Sequence, residues 1–383
     1  MPSNRYDVVV VGGGPAGGTA AYELSRQGIR VLLLEKERLP RYKVCAGGLT
    51  LKSAQLLDFD LSPAFEQEIV RGQCTFRCGT PVTIEFGEVV GWTVMRDRLD
   101  YLILERASRA GAQILDQQRV QQVELSGDGA LVRADGQEYG CSVVVGADGA
   151  NGVVARSAGL MKQRRVAIAV ETELSVPDSE LEKRVGCVHF DFGSVPRGYG
   201  WVFPKSKLLS VGVGTFVGQA RNLKNALLSF LDALGVGHTR QEMPIRGHPV
   251  PLGGEECVLH SGRLLLVGDA ASLAEPMTGE GIYYAVKSGQ IAATTICDAL
   301  RNSAIDLTSY TSCINEEITQ DLKYARRLAW LLYRFPGLCF RFFVRSSLVE
   351  RRVADVLYGR STYQSLYYDL LRSGPKILLD GLR

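Results

Sequence analysis

A glycine-rich turn near the start of the chain limits the possible folds more than any other feature. The apolar run Val8–Val11 predicts a buried strand, and it is followed directly by the turn Gly12-Gly13-Gly14-Pro15-Ala16-Gly17. A helix is predicted over residues 16–27 and a second strand over residues 30–35. Strand, G-x-G-x-x-G turn, helix and strand in this order form a βαβ unit of the dinucleotide-binding type.

Each glycine of the turn has a separate expected task. Gly12 permits a tight turn, Gly14 lets the backbone approach a pyrophosphate, and Gly17 lets helix and strand pack closely. The helix that follows presents free N–H groups and the positive end of its dipole to the anion. Glu35 closes the second strand, where an acid accepts hydrogen bonds from an adenosine ribose and disfavours a 2′-phosphate. The cofactor-binding candidates of this unit are Gly12, Gly14, Ala16, Gly17, Glu35 and Lys36.

The hydrophobic pattern of the sequence changes twice along the rest of the chain. Alternating apolar and polar residues between 166 and 251 predict antiparallel strands with one solvated face, and the sequence from Leu307 onward has a helical pattern. Because a buried strand and another glycine turn return at 264–268, we expect two interleaved domains. The predicted α/β organisation is a Rossmann-type cofactor domain from residues 1–75, 95–158 and 258–306, an antiparallel-sheet substrate domain from 76–94 and 159–257, and a helical C-terminal region over 307–383.

Composition argues against several classes of protein. The formal net charge is only +3, which gives no reason to expect a nucleic-acid partner. The nine cysteines are an odd number and are expected to be reduced thiols in a cytoplasmic compartment. Cys74 and Cys78 form a C-x3-C pair, but no second pair or nearby histidine completes a zinc site. No metal is therefore predicted.

Two further glycine–aspartate turns indicate which dinucleotide is bound. One follows an apolar strand that ends at Val145, and the other follows a strand that ends at Val267 and runs on into a helix. Together with the N-terminal turn they resemble the three fingerprints of the p-hydroxybenzoate hydroxylase-like FAD superfamily, over most of residues 5–295. The resemblance implies FAD as the cofactor. The further cofactor-binding residues that it implies are Arg96, Asp148, Gly149, Asp269, Gly279, Gly281 and Ile282.

Within this resemblance each segment has an implied role. Asp269 accepts hydrogen bonds from the ribityl hydroxyls, and the helix N-terminus behind Gly279 lies against the isoalloxazine, where it favours negative charge on the reduced ring. Asp148 and the glycine after it line the approach to the pyrophosphate. Arg96 meets the cofactor from the other side, with Arg98 as the alternative. Taken from the residues alone, an aspartate after a strand is also a common helix N-cap.

Two other segments resemble one family within that superfamily, the geranylgeranyl reductases. Residues 40–49 resemble the segment in which a cysteine and a glycine pair lie beside the flavin, although Val44 and Ala46 replace the usual proline and glycine. The run Tyr199-Gly-Trp201-Val-Phe203-Pro204 and the later Gly212-Val-Gly214 match the family's Y-x-W-x-F-P and G-x-G elements. The resemblance implies Cys45, Tyr199 and Trp201 as catalytic residues, and Cys45, Ala46 and Gly47 as cofactor contacts.

The activity implied by this resemblance is reduction of isolated C=C bonds in a polyprenyl lipid by hydride transfer from reduced FAD, with NAD(P)H or ferredoxin as electron donor. Other interpretations stay open. An FAD-dependent aromatic or lipid hydroxylase shares every FAD motif, and a flavin halogenase or a non-enzymatic FAD-binding module is a further alternative. Tyr199, Trp201 and Phe203 share one face of a predicted strand, which is either a lipid cavity wall or a packed core.

Residues 323–352 combine eight basic residues and one acid with many aromatic and leucine side chains. Arg334 and Pro336 interrupt the apolar residues, so a membrane span is not predicted. A basic, aromatic-rich helical surface suits peripheral contact with anionic lipid, whereas a packed helical subdomain with a solvated basic face is the alternative. The expected location is cytoplasmic, with peripheral membrane contact left open. The basic residues are Lys323, Arg326, Arg327, Arg334, Arg341, Arg345, Arg351 and Arg352.

Overall fold

The chain folds into two compact units in a computed structural model, which describes residues 5–216, 222–236, 244–302, 305–344 and 346–380. Arg345, one of the predicted basic residues, lies outside the described residues. Each unit is assembled from three separate stretches of chain. The first unit has the bounds Met1–Lys43, Arg96–Arg165 and Pro251–Gln320, and the second has the bounds Val44–Met95, Val166–Val250 and Asp321–Arg383.

Strands and helices are numbered here in chain order. The strands are β1 (Arg5–Val11), β2 (Val31–Leu34), β3 (Gly48–Thr50), β4 (Phe65–Ile69), β5 (Arg71–Phe76), β6 (Val82–Glu85), β7 (Gly91–Val94), β8 (Gln113–Leu115), β9 (Val120–Ser126), β10 (Gly129–Ala134), β11 (Gln137–Gly146), β12 (Arg165–Leu174), β13 (Cys187–Phe192), β14 (Gly198–Pro204), β15 (Leu209–Thr215), β16 (Arg246–Leu252), β17 (His260–Ser261) and β18 (Leu264–Leu266). The helices are α1 (Pro15–Ser25), α2 (Leu51–Ala54), α3 (Arg96–Arg109), α4 (Val154–Ser157), α5 (Asp178–Glu182), α6 (Leu223–Ala233), α7 (Ile282–Arg301), α8 (Thr308–Ile314), α9 (Gln320–Arg334), α10 (Pro336–Cys339), α11 (Ser347–Leu357) and α12 (Tyr363–Asp380).

The first unit is built on one sheet with the strand order β17-β18-β11-β1-β2-β8. Strands β18, β11, β1, β2 and β8 run parallel, and the hairpin of β9 and β10 extends the sheet from β11. The end of β1, the whole of β2 and the end of β11 are runs of valine or leucine with almost no exposed surface. Such continuous apolar runs are typical of parallel strands that are covered on both faces.

The parallel order places three motifs at one edge of this sheet. Strands β18, β11 and β1 are direct neighbours, so the residues that follow each of them leave the sheet at the same side. These residues are the glycine turn after Val11, the Asp148 turn after Gly146, and Asp269 shortly after Leu266. In open α/β sheets this carboxyl edge is where ligands bind.

Helix α1 packs closely against α3 and α7 of the same unit. A Cβ on Gly289 of α7 would lie only 2.6 Å from the carbonyl oxygen of Ala16, so the two helix backbones approach through that glycine. Pro15 occupies the first turn of α1, where its missing N–H removes no helical hydrogen bond. The start of α1 is therefore fixed beside the end of β1.

The second unit contains two sheets, with the strand orders β16-β12-β15-β14-β13-β5-β6 and β3-β7-β4. From β12 to β6 neighbouring strands are antiparallel, except that β13 and β5 run parallel. One face of the larger sheet is covered by α6, where Val202 of β14 packs with Leu227 and Phe230. Tyr199 and Trp201 of the same strand alternate with these inward residues and contact each other on the opposite face.

The predicted fold class is confirmed, because the protein combines a parallel α/β sheet, antiparallel sheets and C-terminal helices. The compact units nevertheless have other bounds than the predicted domains. Residues 44–75 belong to the second unit, since β3, β4 and β5 pair with strands of that unit. Residues 321–380 also belong to the second unit. The division into cofactor, substrate and C-terminal domains stays a prediction.

Candidate functional site

Two glycines of the turn in the first unit, Gly12 and Gly17, are needed for close packing, whereas Gly14 faces open space. A Cβ on Gly12 would lie 2.3 Å from Ala147 O, and a Cβ on Gly17 would lie 2.0 Å from Gly12 O. At Gly14 the nearest atom is Arg41 Nη2, at 3.8 Å. No side chain caps the N-terminus of α1, so its first N–H groups are left for an anion. These features fit a pyrophosphate in front of Gly14.

Glu35 is buried beside this turn and is held by several donors. Its carboxylate accepts the N–H groups of Gly13 at 2.8 Å and of Glu37 at 3.1 Å, and the guanidinium of Arg41 at 3.2 Å. Each carboxylate oxygen can accept two hydrogen bonds, and Oε1 is bonded only by the Glu37 N–H among the described residues. It therefore retains capacity for a ribose hydroxyl. Lys36, the next residue, is exposed in the turn after β2.

Arg41 and Asp100 form a buried charged network that the sequence analysis missed. Asp100 accepts two hydrogen bonds from Arg96, at 2.7 and 2.9 Å, and one from Arg41 at 3.0 Å. Arg41 also donates to Gly13 O at 3.1 Å. The spacing of Arg96 and Asp100, four residues apart on α3, is a sequence signal for this pair. The network places the guanidinium of Arg41 next to the predicted pyrophosphate site, and that of Arg96 shares the same Asp100 carboxylate.

Asp148 makes the contact of a helix cap. Its Oδ2 accepts the N–H of Val154, the first residue of α4, at 3.0 Å. Its Oδ1 is buried and bonded to no described group, and burial raises the pKa of this carboxyl. Gly149 has a φ of +77°, and a Cβ there would meet nothing within 4 Å. The predicted role of both residues at the pyrophosphate stays a prediction.

Asp269 lies directly after β18 and faces the start of α7. A Cβ on Gly281, which precedes α7, would lie 3.7 Å from Asp269 Oδ1. Within the described part of the chain no donor bonds to this carboxylate. Burial raises its pKa, although Lys43, Arg96 and Arg164 lower it by their charge. A half-buried carboxylate with cations around it and no bonded donor fits the hydroxyl groups of a ribityl chain.

The segment before α7 is shaped by a second buried carboxylate. Glu275 accepts the N–H of Thr278 and its hydroxyl, both at 2.7 Å, and burial raises the pKa of Glu275. Gly279 has a φ of +77°, which favours glycine. Ile282 begins α7, and no side chain caps that N-terminus. The α7 N-terminus therefore has no side-chain cap, which is compatible with the implied flavin contact.

In the second unit Cys45 begins a short turn, residues 45–47, which is called the Cys45 turn below. The N–H of Cys45 donates to Glu171 Oε1 on β12 at 2.7 Å, and the N–H of Gly47 donates to Cys45 Sγ at 3.3 Å. Gly47 has a φ of +70°, and a Cβ there would lie 2.4 Å from Lys205 Nζ. The Cys45 turn is therefore fixed at both ends and requires glycine at its third position.

Lys205, immediately after β14, is the second functional candidate that the sequence analysis missed. Its side chain is buried, and Nζ donates to the carbonyl oxygens of Ala46 at 2.7 Å, Val94 at 2.8 Å and Gly47 at 3.4 Å. Burial lowers the pKa of Lys205 to about 8. Its position directly after the Y-x-W-x-F-P element is the only signal that the sequence offers.

The aromatic residues of β14 pack on one face of the sheet. Tyr199 and Trp201 have ring centroids 5.8 Å apart, and Phe190 contacts both Tyr199 and Phe203 at about the same distance. Trp201 lies opposite Gly212 on β15, and a Cβ there would be 2.0 Å from its Cζ2 atom. The G-x-G element thus makes room for an indole. Trp201 Nε1 is buried and has no partner in the described ranges.

Within the second unit this aromatic strand and the residue after it lie against the Cys45 turn and the adjoining Gly48. A Cβ on Gly48 would lie 2.9 Å from the ring of Phe203, and Lys205 binds the turn itself. The structure therefore brings the two segments that resembled the reductase family together, although about 150 residues separate them in sequence.

Comparison with known proteins gives a family model and several relatives. A family model for an FAD binding domain matches residues 5–191. The chain is 31% identical to digeranylgeranylglycerophospholipid reductase 1 of Methanopyrus kandleri, over 86% of this chain and 91% of that protein. It is 30% identical to the chloroplastic geranylgeranyl diphosphate reductase of rice, Oryza sativa subsp. japonica, over 96% of this chain and 82% of that protein.

A solved structure shares the fold. The crystal structure of a geranylgeranyl bacteriochlorophyll reductase-like protein from Thermoplasma acidophilum superposes with a TM-score of 0.78 and covers 98% of both chains, at 23% identity. Nearly the whole length of the chain is thus covered by the likeness.

Proposed function

Since this chain belongs to the geranylgeranyl reductase family of FAD-dependent oxidoreductases, we propose that it saturates C=C bonds of a polyprenyl chain. FAD is its cofactor, and the first unit supplies the residues that fit it. The observation that carries the proposal is that residues 45–48 contact Phe203 of β14 and Lys205 directly after that strand. A segment with a thiol proton donor therefore lies next to a strand whose aromatic rings suit an apolar chain.

The chemistry of an isolated alkene explains why both groups are needed. When bound and reduced, FAD supplies a hydride. A trisubstituted alkene accepts hydride poorly because no carbonyl absorbs the negative charge. We propose that the Cys45 thiol gives its proton to the less substituted carbon, so that positive charge builds on the tertiary carbon. The faces of Tyr199 and Trp201 stabilise this charge, by about 2 kcal/mol when desolvated.

The test of this function is anaerobic reduction of a prenyl substrate with chemically reduced FAD. We expect a mass gain of two hydrogens for each double bond reduced. A hydroxylase would instead need oxygen and would insert one oxygen atom into the product. Turnover that occurs only in air and gives an oxygenated product would refute the reductase and support the hydroxylase. Whether NAD(P)H or ferredoxin reduces the flavin in the cell is tested by offering each donor separately.

The role of Cys45 has its own test. Cys45→Ala is expected to bind FAD normally but to slow single-turnover oxidation of the reduced flavin by substrate, by roughly 10²-fold or more for a lost general acid. Cys313→Ala, a half-buried cysteine on α8, is the matched control. Unchanged rates in Cys45→Ala and Cys45→Ser would leave Cys45 as a packing residue.

We further propose that the second unit touches an anionic lipid surface through the corner between α9 and α10. Four apolar side chains there are exposed within nine residues, and Trp330 at 65% and Leu338 at 56% are the most exposed. Arg334 and Arg341, both exposed, lie beside Phe335 and Phe342 in cation–π contacts. The exposed apolar residues of this corner are Trp330, Leu331, Phe335 and Leu338.

Not all of residues 323–352 take part in this surface. Arg352 pairs with Asp369 at 3.1 Å and with Asp355 at 3.7 Å, so its charge is neutralised within the unit. None of the helices in the described ranges has the length and hydropathy needed to cross a membrane. The exposed corner is therefore proposed as a peripheral contact.

A row of aromatic rings connects this corner with the strand β14. Tyr333, on the buried side of α9, stacks on Phe216 at 4.6 Å. Phe216 stacks on Tyr199 at 5.8 Å, and Tyr199 contacts Trp201. We propose that a prenyl chain drawn from lipid follows this row towards Tyr199.

Vesicle co-sedimentation tests the lipid contact. Binding should increase with the fraction of anionic lipid and decrease with salt, because each basic residue at such a surface adds about 1 kcal/mol. Replacing Trp330 and Leu338 with Ser should weaken binding, whereas Val258→Ser, an exposed apolar residue of the first unit, should not. Equal binding of all variants to neutral vesicles at every salt concentration would contradict the proposal.

A further inference from the structure

A hydrogen-bonded chain connects the ammonium group of Lys205 with the sulfur of Cys45. Lys205 Nζ donates to Ala46 O at 2.7 Å, and the N–H of the same peptide group, that of Gly47, donates to Cys45 Sγ at 3.3 Å. One peptide group therefore carries a cation at its oxygen and a thiol at its N–H. Hydrogen bonds in such a chain polarise one another, most strongly where water is excluded.

The ammonium group of Lys205 has unusual hydrogen-bond partners. Its three N–H groups all donate to backbone carbonyl oxygens, and among the described residues no carboxylate forms an ion pair with it. A buried charge without a counter-ion is destabilising. The pKa of Lys205 is lowered from 10.5 to about 8 because burial outweighs the opposing effect of the acidic groups that face it, which are Cys45, Glu171, Glu66 and Glu173. Near neutral pH the ammonium form still predominates.

We propose that Lys205 is a positioning residue that stabilises the thiolate of Cys45 through the Ala46–Gly47 peptide. The buried carboxylate of Glu171, bonded to the N–H of Cys45, acts on the same sulfur with the opposite charge. The link between Lys205 and Cys45 rests on these contacts alone. Its use in alkene reduction rests on the proposed function.

The reaction consequence concerns a single proton. When Cys45 protonates an alkene carbon, its S–H bond breaks, a C–H bond forms and the electron pair stays on sulfur. The carbocation that forms on the neighbouring carbon accepts the hydride supplied by reduced FAD. Water then returns a proton to the thiolate. Lys205 stabilises the charge that appears on sulfur in this step, and its loss should slow the step.

The first test measures the sulfur without any prenyl substrate. Oxidised holoenzyme is alkylated with iodoacetamide across a pH series, and modification of the Cys45 peptide is followed by mass spectrometry. In Lys205→Met and Lys205→Gln the midpoint of the rate–pH profile should move up by about one pH unit, which slows alkylation about tenfold at neutral pH. Glu171→Gln keeps an acceptor for the Cys45 N–H but removes the charge, so its midpoint should move down. Lys207→Met, two residues away and exposed, should leave the profile unchanged.

Opposite shifts in the Lys205 and Glu171 variants would support an electrostatic role, because a merely structural disturbance has no reason to change sign with charge. If both Lys205 variants fail to fold, Lys205→Arg replaces them, because arginine keeps its charge throughout the pH series whereas wild-type Lys205 loses its charge above about pH 8. The two alkylation profiles should then separate above that pH, and superimposable profiles would overturn the proposal. Identical profiles in wild type and Lys205→Met would overturn it as well, whatever Glu171→Gln does.

The second test separates this proposal from the proposed function. Anaerobic single turnover with a prenyl substrate should be slower in Lys205→Met, and the decline of the rate at alkaline pH should move to higher pH in that variant, together with the alkylation midpoint. Shifted alkylation profiles without any prenyl reduction in the wild type would refute the reductase function but keep the Lys205–Cys45 link. Prenyl reduction with unshifted alkylation profiles would refute the link alone.

Discussion

The two glycines of the G-x-G element on β15 offer a matched pair of substitutions. A Cβ on Gly212 would lie 2.0 Å from Cζ2 and 2.5 Å from Cε2 of Trp201, whereas the nearest atom to a Cβ on Gly214 is Ile168 O at 3.7 Å. Carbon atoms normally approach to about 3.5–4.0 Å, so Gly212→Ala must displace the indole while Gly214→Ala need displace nothing. Both residues have ordinary strand conformations, so backbone strain does not differ between them.

The expected magnitudes follow from these distances. Forcing extra volume into a packed site costs about 1–3 kcal/mol of stability. Alanine in place of glycine also restricts the unfolded chain, which stabilises the folded state by about 0.4–1 kcal/mol where the conformation is compatible. Gly212→Ala should therefore be destabilised by roughly 1–2 kcal/mol net. Gly214→Ala should be as stable as the wild type or slightly more stable.

Thermal denaturation followed by circular dichroism measures the stability difference, and single-turnover alkene reduction measures its effect at the aromatic face. FAD content should stay at the wild-type level in both variants, because the cofactor-binding residues of the first unit are unchanged. Only Gly212→Ala should lose reduction rate. Equal denaturation midpoints and equal rates in the two variants would show that the indole does not lie over Gly212, and the account of the aromatic face would be wrong.

Two further predictions concern the glycine turn and the buried lysine. Gly14→Val should give a folded but colourless protein, because the nearest protein atom to its Cβ is 3.8 Å away and only the pyrophosphate is obstructed. Gly17→Val should fail to fold, because its Cβ would lie 2.0 Å from Gly12 O. Circular dichroism together with FAD titration distinguishes the two outcomes. Lys205 has its pKa lowered from 10.5 to about 8, so the unfolded chain binds more protons between these values and the stability contributed by this residue rises with pH across that window. The free energy of unfolding should rise by about 3 kcal/mol across this window. Urea denaturation at several pH values should show this rise in the wild type but not in Lys205→Met. Parallel pH dependences of the two proteins would contradict the prediction.

Much of the cofactor site is readable from the sequence because its signals are local. A buried strand, a glycine turn and a helix lie next to one another along the chain, and their spacing alone specifies a βαβ unit with an anion site at the helix N-terminus. The repeated glycine–aspartate turns after two later strands identify the same sheet edge. The structure places the three strands concerned side by side, in the order β18-β11-β1.

Other parts of the site depend on contacts between distant segments. Arg41 carries no motif, yet it bridges Glu35, Gly13 and Asp100. In the sequence Lys205 is an ordinary charged residue after a strand. Only the tertiary structure shows that its ammonium group donates to the carbonyl oxygen of Ala46. The partner of a charged side chain is set by the path of the backbone, so no local pattern predicts such pairs.

The C-terminal region shows the same division between sequence and structure. Its excess of basic and aromatic residues is visible in the sequence, but composition does not say which of them face solvent. The tertiary structure buries Tyr333 against Phe216, pairs Arg352 with Asp369 and leaves Trp330 and Leu338 exposed. Sequence determined the dinucleotide-binding unit and the fold class because these rest on short-range spacing, and FAD was implied by the resemblance of three such turns to a known superfamily. Only the tertiary structure decided which side chains surround Cys45 and which reach the surface, because burial and pairing depend on segments that meet across the fold.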